Sequence, residues 1–285
     1  MSDEVDNVDR RTVRGFGFEW TRFDQSGVPH SELLAYFENY FSLFPWEALP
    51  MNAEGVDIGC GTGRWAQFVA PRVGTLHCVD ASSQALAVAR RTLAGRTNCH
   101  FHESSLHRLP LADGSMDFAY ALGVLHHVPD PQAAIASCAA KLKGGAPFLV
   151  YIYYALDNQC WSYRLLWRTS DLARRAIARL PQFVRALVAD AVALLVYLPF
   201  ARAARILADC GMDVRSFPLS LYRDASFYTM RTDALDRFGT AVEQRFSRAE
   251  IERMMLRAGL ERVTFREAPP YWCALGYRAA PGTRP

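Results

Sequence analysis

Neither sign of charge dominates this 285-residue chain: 32 Lys and Arg stand against 29 Asp and Glu, a formal excess of only +3. So small a surplus lacks the dense basic patch that nucleic-acid binding wants. Disulfide and zinc signatures are missing as well. The seven cysteines are dispersed, odd in number and without a C-x-x-C pair, which reads as reduced packing thiols in a cytoplasmic protein. No repeat or low-complexity block is evident, and the opening Met1-Ser2-Asp3-Glu4-Val5-Asp6 is acidic and polar, unlike a signal peptide. The longest apolar stretch, Ala186 to Phe200, contains Asp190 and is several residues short of a comfortable bilayer span. What is present is ordinary globular material, 51% hydrophobic and 21% charged. The length suits one catalytic domain with a large insertion.

The most informative run is Val56-Asp57-Ile58-Gly59-Cys60-Gly61-Thr62-Gly63-Arg64. A short β-type segment ends in three glycines at alternate positions and turns directly into helix-like sequence. Glycine lets the backbone turn sharply and approach a ligand with no Cβ in the way. Amides at the following helix start offer donors to a polar or anionic group. A second strand, Thr75-Leu76-His77-Cys78-Val79-Asp80, ends in an acid at the spacing expected for a carboxylate that binds two ribose hydroxyls.

Dinucleotide folds favour G-x-G-x-x-G, whereas the pattern here is G-x-G-x-G, preceded by Asp57 and followed by Arg64. This resembles motif I of the class I S-adenosylmethionine-dependent methyltransferases. Later landmarks are similar to the same superfamily. Ser105-Leu106-His107-Arg108-Leu109-Pro110-Leu111 resembles its adenine-contacting loop, with Ser105 where many relatives carry Asp. Asp113 to Phe118 and Gly123-Val124-Leu125-His126-His127-Val128-Pro129 resemble its fourth strand and the loop after it. The ordered matches run from about residue 50 to 155.

The resemblance implies an α/β fold, a Rossmann-like, seven-stranded, mostly parallel sheet with a terminal antiparallel hairpin, and the long stretch between the fifth strand and the last helix adds a mainly helical inserted cap. Alternation in the chain agrees, with strands near 54–58, 75–80, 98–103, 117–122 and 146–154, and helices near 63–70, 83–94 and 131–142. Ser247 to Gly259 reads as a helix whose capping box is Ser247 and Glu250. Two strands follow, joined by Ala268-Pro269-Pro270. Pro269-Pro270-Tyr271-Trp272 is similar to the N/D-P-P-Y motif of base-acting amino methyltransferases. It lies in the wrong place, between the last two strands, and reads as a rigid turn.

The expected organisation is an N-terminal arm and lid helix over residues 1–50, a cofactor-binding core over 51–155 and 246–285, and a cap over 156–245. Residues 1 to about 15 read as a mobile tail, and a helix is expected near Ser31 to Phe41. Residues 158–180 and 182–210 read as two helices broken at Pro181, and 213–245 as less regular. An insertion after a late strand of an open α/β sheet emerges beside the ligand crevice, which makes a substrate-covering cap the natural reading. Arginines at 174, 175, 179, 185, 202 and 205 flank the apolar run. A membrane-surface helix is one reading of it; burial in the cap or in a homodimer interface is favoured.

The residues expected to hold S-adenosylmethionine are Asp57, Gly59, Gly61, Gly63, Asp80, Ser105, Leu106 and Leu122. Trp20 and Arg22 join them if the arm closes over the site, Arg22 meeting the methionine carboxylate. His126-His127 follows the fourth strand, near the sulfonium carbon in related enzymes, and His127, expected to be the exposed member, is the candidate general base. His100, His102 and His107 with Glu103 read as solvated edge residues, with no metal expected. The function expected is methyl transfer from S-adenosylmethionine to an oxygen or nitrogen of a small molecule, with carbon methylation still open. A lipid-like membrane-associated acceptor and a catalytically silent cofactor-binding scaffold are the alternatives. A nicotinamide dehydrogenase is disfavoured by the glycine spacing.

Overall fold

The computed structural model describes residues 7–157, 161–215, 217–240 and 242–280. They fall into two compact units. One comprises Met1–Thr21, Leu34–Asn158 and Val242–Pro285; the other comprises Arg22–Leu33 and Gln159–Ala241.

The first unit is built on a seven-stranded sheet. Its strands are β1 Glu54–Ile58, β2 Thr75–Asp80, β3 Cys99–Glu103, β4 Phe118–Leu122, β5 Pro147–Tyr151, β6 Leu260–Phe265 and β7 Cys273–Arg278. Their order is β3-β2-β1-β4-β5-β7-β6. Strands β1 to β5 pair in parallel, and β7 runs antiparallel to both β5 and β6. The Rossmann-like sheet with its terminal hairpin is the fold the motifs imply. Central β4, Phe-Ala-Tyr-Ala-Leu, is buried at every position, as a strand covered on both faces must be. Edge strand β3, Cys-His-Phe-His-Glu, is only partly covered. The strand order reverses between β1 and β4, so a crevice opens at their carboxyl ends.

Helices α1 Arg10–Arg22, α2 His30–Tyr40, α3 Ala66–Val69, α4 Ser83–Thr92 and α5 Pro131–Ala140 precede the insertion. Side-chain oxygens of Ser82 and Asp130 cap α4 and α5. Residues 7–15 are not a tail. The Thr12 amide donates to Asp9 Oδ1 at 2.6 Å, starting α1. The Asn7 side chain exchanges two 2.7 Å hydrogen bonds with the backbone of Asp130. Edge residue His102 is also less free than expected, because its Nε2 lies 2.9 Å from His77 Nδ1.

The second unit is helical: α6 Trp161–Ile177, α7 Gln182–Val192, a π turn at Ala193–Tyr197, α8 Leu198–Asp209 and α9 Phe227–Gly239. Pro181 separates α6 from α7, and the π turn lets α7 run on into α8. Helix α9 corrects the irregular segment expected over 213–245. Ser226 caps it by accepting the Thr229 amide, and its buried face carries Met230, Ala234 and Leu235. The aromatic and charged residues around it had masked a helical period. Arg22–Leu33 clusters here, not with the sheet: the Gln25 amide donates to the Tyr228 hydroxyl at 3.0 Å, and Glu32 accepts from Ser226 and Thr229. In α10, Arg248–Arg257, which returns the chain to the first unit, the Ser247–Glu250 capping box is complete.

Candidate active site

The loop after β1 has the backbone its glycines were expected to provide. Gly59, Gly61 and Gly63 have φ of +69°, +53° and +75°, values that penalise any Cβ. At Gly59 a Cβ would come within 2.3 Å of Val124 Cγ2, and at Gly61 within 3.2 Å of Trp20 Nε1. The loop is therefore closely covered as well as left-handed.

Asp80 ends β2 and grips that loop. The Gly61 amide donates to Asp80 Oδ2 at 2.9 Å, and the Ser82 amide donates to Oδ1 at 2.8 Å. Burial pushes its pKa up, opposed by the bonds from Ser82, Gly61 and Ala81. Each carboxylate oxygen keeps a second lone pair for another donor.

Asp57, on β1, is 1% exposed. Desolvation drives its pKa up to about 8, with Asp80 adding to the rise and Arg64 opposing it. Tyr120 sits in register with it on β4 and also lowers its pKa. Even so, Asp57 Oδ2 and the Tyr120 hydroxyl both lack a well-formed hydrogen bond. A buried carboxylate oxygen without a partner is costly, and a cationic or N–H group arriving at the loop would relieve it.

Trp20 on α1 stacks with Phe16 at 6.1 Å and lies over Gly61. The Arg64 guanidinium lies 5.5 Å from the Trp20 ring and 4.6 Å from the Trp65 ring. Arg64 was legible only as the residue that ends the glycine run; its place between two tryptophans depends on α1 folding back. Arg22 goes elsewhere: it pairs with Asp190 at 2.6 Å inside the helical unit.

A cavity of about 500 Å³ is lined by residues that include Val13, Ala81, Ser104, Ser105 and Arg108. Ser105 thus faces open space. Leu106 is packed in the main core with Leu109 and Met116. Leu122 is buried at the end of β4, just before Gly123, whose φ is +81°.

The two histidines sit on a 3-10 turn, Leu125–His127. Both are buried, His126 at 0% and His127 at 5% exposure, so the expectation of an exposed His127 is corrected. Phe16 covers the His127 ring edge-on at 4.9 Å, and Tyr153 stacks on His126 at 3.9 Å. Burial pulls the His126 pKa well below the ordinary imidazole range. His127 Nδ1 lies 2.7 Å from the Val242 carbonyl oxygen. A carbonyl only accepts, so Nδ1 carries the proton and Nε2 keeps its lone pair; Nε2 has no partner. Sequence reasoning did not find Val242, which lies 115 residues away.

Residues 56–150 match the family described as methyltransferase domain. That segment is a methyltransferase domain of the class I, S-adenosylmethionine-dependent kind. Over 103 residues the chain is 33% identical to a ubiquinone biosynthesis O-methyltransferase of Xanthomonas axonopodis pv. citri, covering 35% of this chain and 43% of that protein. It is 34% identical over 113 residues to an O-methyltransferase of Pyrenophora dematioidea, covering 37% and 40%. The chain thus spans less than half the length of these curated relatives. In fold, the methyltransferase domain and its insertion are similar to a chain assigned as a methyltransferase and solved with a methyltransferase activator of Haloferax volcanii. The TM-score is 0.52 at 13% identity, covering 93% of this chain and 96% of that one. A protein assigned as an O-methyltransferase of Nostoc punctiforme gives a TM-score of 0.50 at 14% identity, covering 91% and 60%.

The residues gathered here fit the cofactor that this family uses. The left-handed glycines keep side chains off the loop, Asp57 Oδ2 is a buried acceptor without a well-formed hydrogen bond, Asp80 has lone pairs to spare, and Ser105 borders a cavity.

Proposed function

We propose that this chain transfers a methyl group from S-adenosylmethionine to an oxygen or nitrogen of a small-molecule acceptor. The observation that carries the reading is Asp57, a carboxyl group buried just before a left-handed glycine loop, with an oxygen that makes no well-formed hydrogen bond and has only the Tyr120 hydroxyl beside it. An aliphatic ammonium such as that of the cofactor's methionine end would satisfy it.

When bound, the cofactor supplies a sulfonium-activated methyl group. The residues then divide the work. Asp80 accepts hydrogen bonds from the ribose hydroxyls while still holding the Gly61 amide, which ties the sugar to the glycine loop. Ser105 and Ala81 border the base. Trp20 covers Gly61 and excludes water from the charged end. His127, held through Nδ1 by Val242, takes a proton at Nε2 from the acceptor's hydroxyl or ammonium. Buried His126 stays neutral and packs the turn. Alignment of acceptor and methyl group supplies the rest of the rate.

Oxygen is favoured as the acceptor atom because the curated relatives carry O-methyltransferase names. The helical unit, with its many aromatic residues, is assigned to acceptor recognition.

Titration calorimetry with S-adenosylmethionine, followed by transfer of labelled methyl to a panel of phenols, catechols and amines, tests the proposal. Binding with transfer is the expected result. Binding without transfer to any acceptor would leave the silent scaffold, and absence of binding would remove the reading altogether.

A further inference from the structure

The apolar run, expected to be buried in the cap or in a homodimer interface, is largely exposed in the single chain. Gln182–Asp209 forms one 28-residue helix, and only 22% of its most apolar window is buried. At 1.5 Å per residue it is about 42 Å long. One side is packed: Ala186, Ala189, Ala193, Ala201 and Ala204 are buried, with α9 against α7 and the π turn. Ala193 and Ala201 are eight apart, a spacing that an uninterrupted α-helix would rotate by about 80°. The π turn between them absorbs one residue and returns the second half to the same register. The opposite side stays in register too, and it is apolar. Leu187, Leu194 and Ile206 are exposed there, and Phe183 and Leu195 are 69% and 71% exposed.

Charge accompanies the stripe. Residues 161–209 hold eight arginines and three aspartates, with no lysine or glutamate. Asp171 is buried against Arg174, and Asp190 is held by Arg22 and Arg231. Arg202 donates to backbone carbonyls of Arg223 and Ala225. Arg164, Arg168, Arg175 and Arg179 are exposed before the stripe and Arg205 near its far end, where Asp209 is the exposed carboxylate.

We propose that this helix is a membrane-surface element that lies in the interface of an anionic bilayer, its leucine and phenylalanine stripe among the acyl chains and its arginines at the headgroups. A large continuous apolar face is an interaction site, and apolar burial plus cationic attraction is how monotopic helices bind. The packed alanine side and the ion-paired Asp190 rule out a spanning role. A second copy is the poorer occupant, since it would set one arginine-rich rim against another. The inference is independent of the methyl-transfer reading.

The test is co-sedimentation of the full chain with phosphatidylcholine vesicles, with and without phosphatidylglycerol. Binding to the anionic vesicles that weakens with salt is expected, with little on the neutral ones. Leu187→Ser with Leu194→Ser should reduce it about tenfold or more, and so should Arg179→Glu with Arg205→Glu. Melting temperature and calorimetric cofactor affinity should be unchanged in both, because the altered side chains are exposed. Three results overturn the proposal: no binding to anionic vesicles, equal binding to both kinds, or a dimer in vesicle-free buffer that the leucine variant dissociates.

Discussion

His127 and Val242 are joined by a 2.7 Å hydrogen bond from imidazole Nδ1 to a backbone carbonyl, and that contact decides which nitrogen can act. The segment from Val242 also clamps the turn from the other side: the Gln244 amide donates to the His126 carbonyl at 3.0 Å, and its side chain to the Val128 carbonyl at 2.7 Å. The adjacent histidines are thus two different groups, one a neutral packing element and the other an oriented acceptor.

If His127 Nε2 takes the acceptor's proton, His127→Ala should lower single-turnover methyl transfer by roughly 10²–10⁴-fold. Cofactor affinity should change little. A packing role gives the opposite pattern, a lower melting temperature with activity per folded molecule kept. Measuring both on one preparation separates the two.

Asp80→Ala should weaken S-adenosylmethionine binding by about 2–3 kcal/mol, because two hydroxyl bonds to a charged acceptor are lost. The same change releases the Gly61 and Ser82 amides, so a drop in melting temperature should accompany it. Calorimetry showing unchanged affinity would remove the central cofactor assignment.

Burial raises the Asp57 pKa from 3.8 to about 8, so the folded, cofactor-free protein holds a proton that the unfolded chain releases. The stabilisation is complete below the unfolded value and is lost as pH rises through about 8. Asp57→Asn resembles the protonated form and abolishes this slope. Between about pH 4 and pH 8 its melting temperature should fall less than that of the unaltered protein. Its cofactor affinity should be lower. Parallel melting curves across that range would mean that Asp57 is ionised in the free protein.

Two glycines test whether the loop is covered or merely left-handed. Gly145 has φ +83° and open space for 4 Å around the position a Cβ would take, whereas a Cβ at Gly59 meets Val124 at 2.3 Å. Gly145→Ala should cost about 1 kcal/mol from conformation alone. Gly59→Ala should cost about 2 kcal/mol more, from the clash, and should impair cofactor binding. Equal losses in denaturant titrations would show that Val124 moves aside.

Local chemistry settled much of this protein in advance. Periodicity and turn residues were enough to place all seven strands within a few residues, because buried parallel strands are written as short apolar runs between glycine and polar breaks. The Ser247–Glu250 cap was readable because both partners lie within one helical turn. Other features depend on contacts between distant parts of the chain. Arg22 goes to Asp190, 168 residues away, and Arg64 lies between Trp20 and Trp65. His127 takes its tautomer from Val242, and the apolar helix keeps its stripe outward through a π turn. Spacing along a chain states what a backbone can do locally; which side chain receives a charge, a proton or a covering ring is decided when residues a hundred positions apart meet.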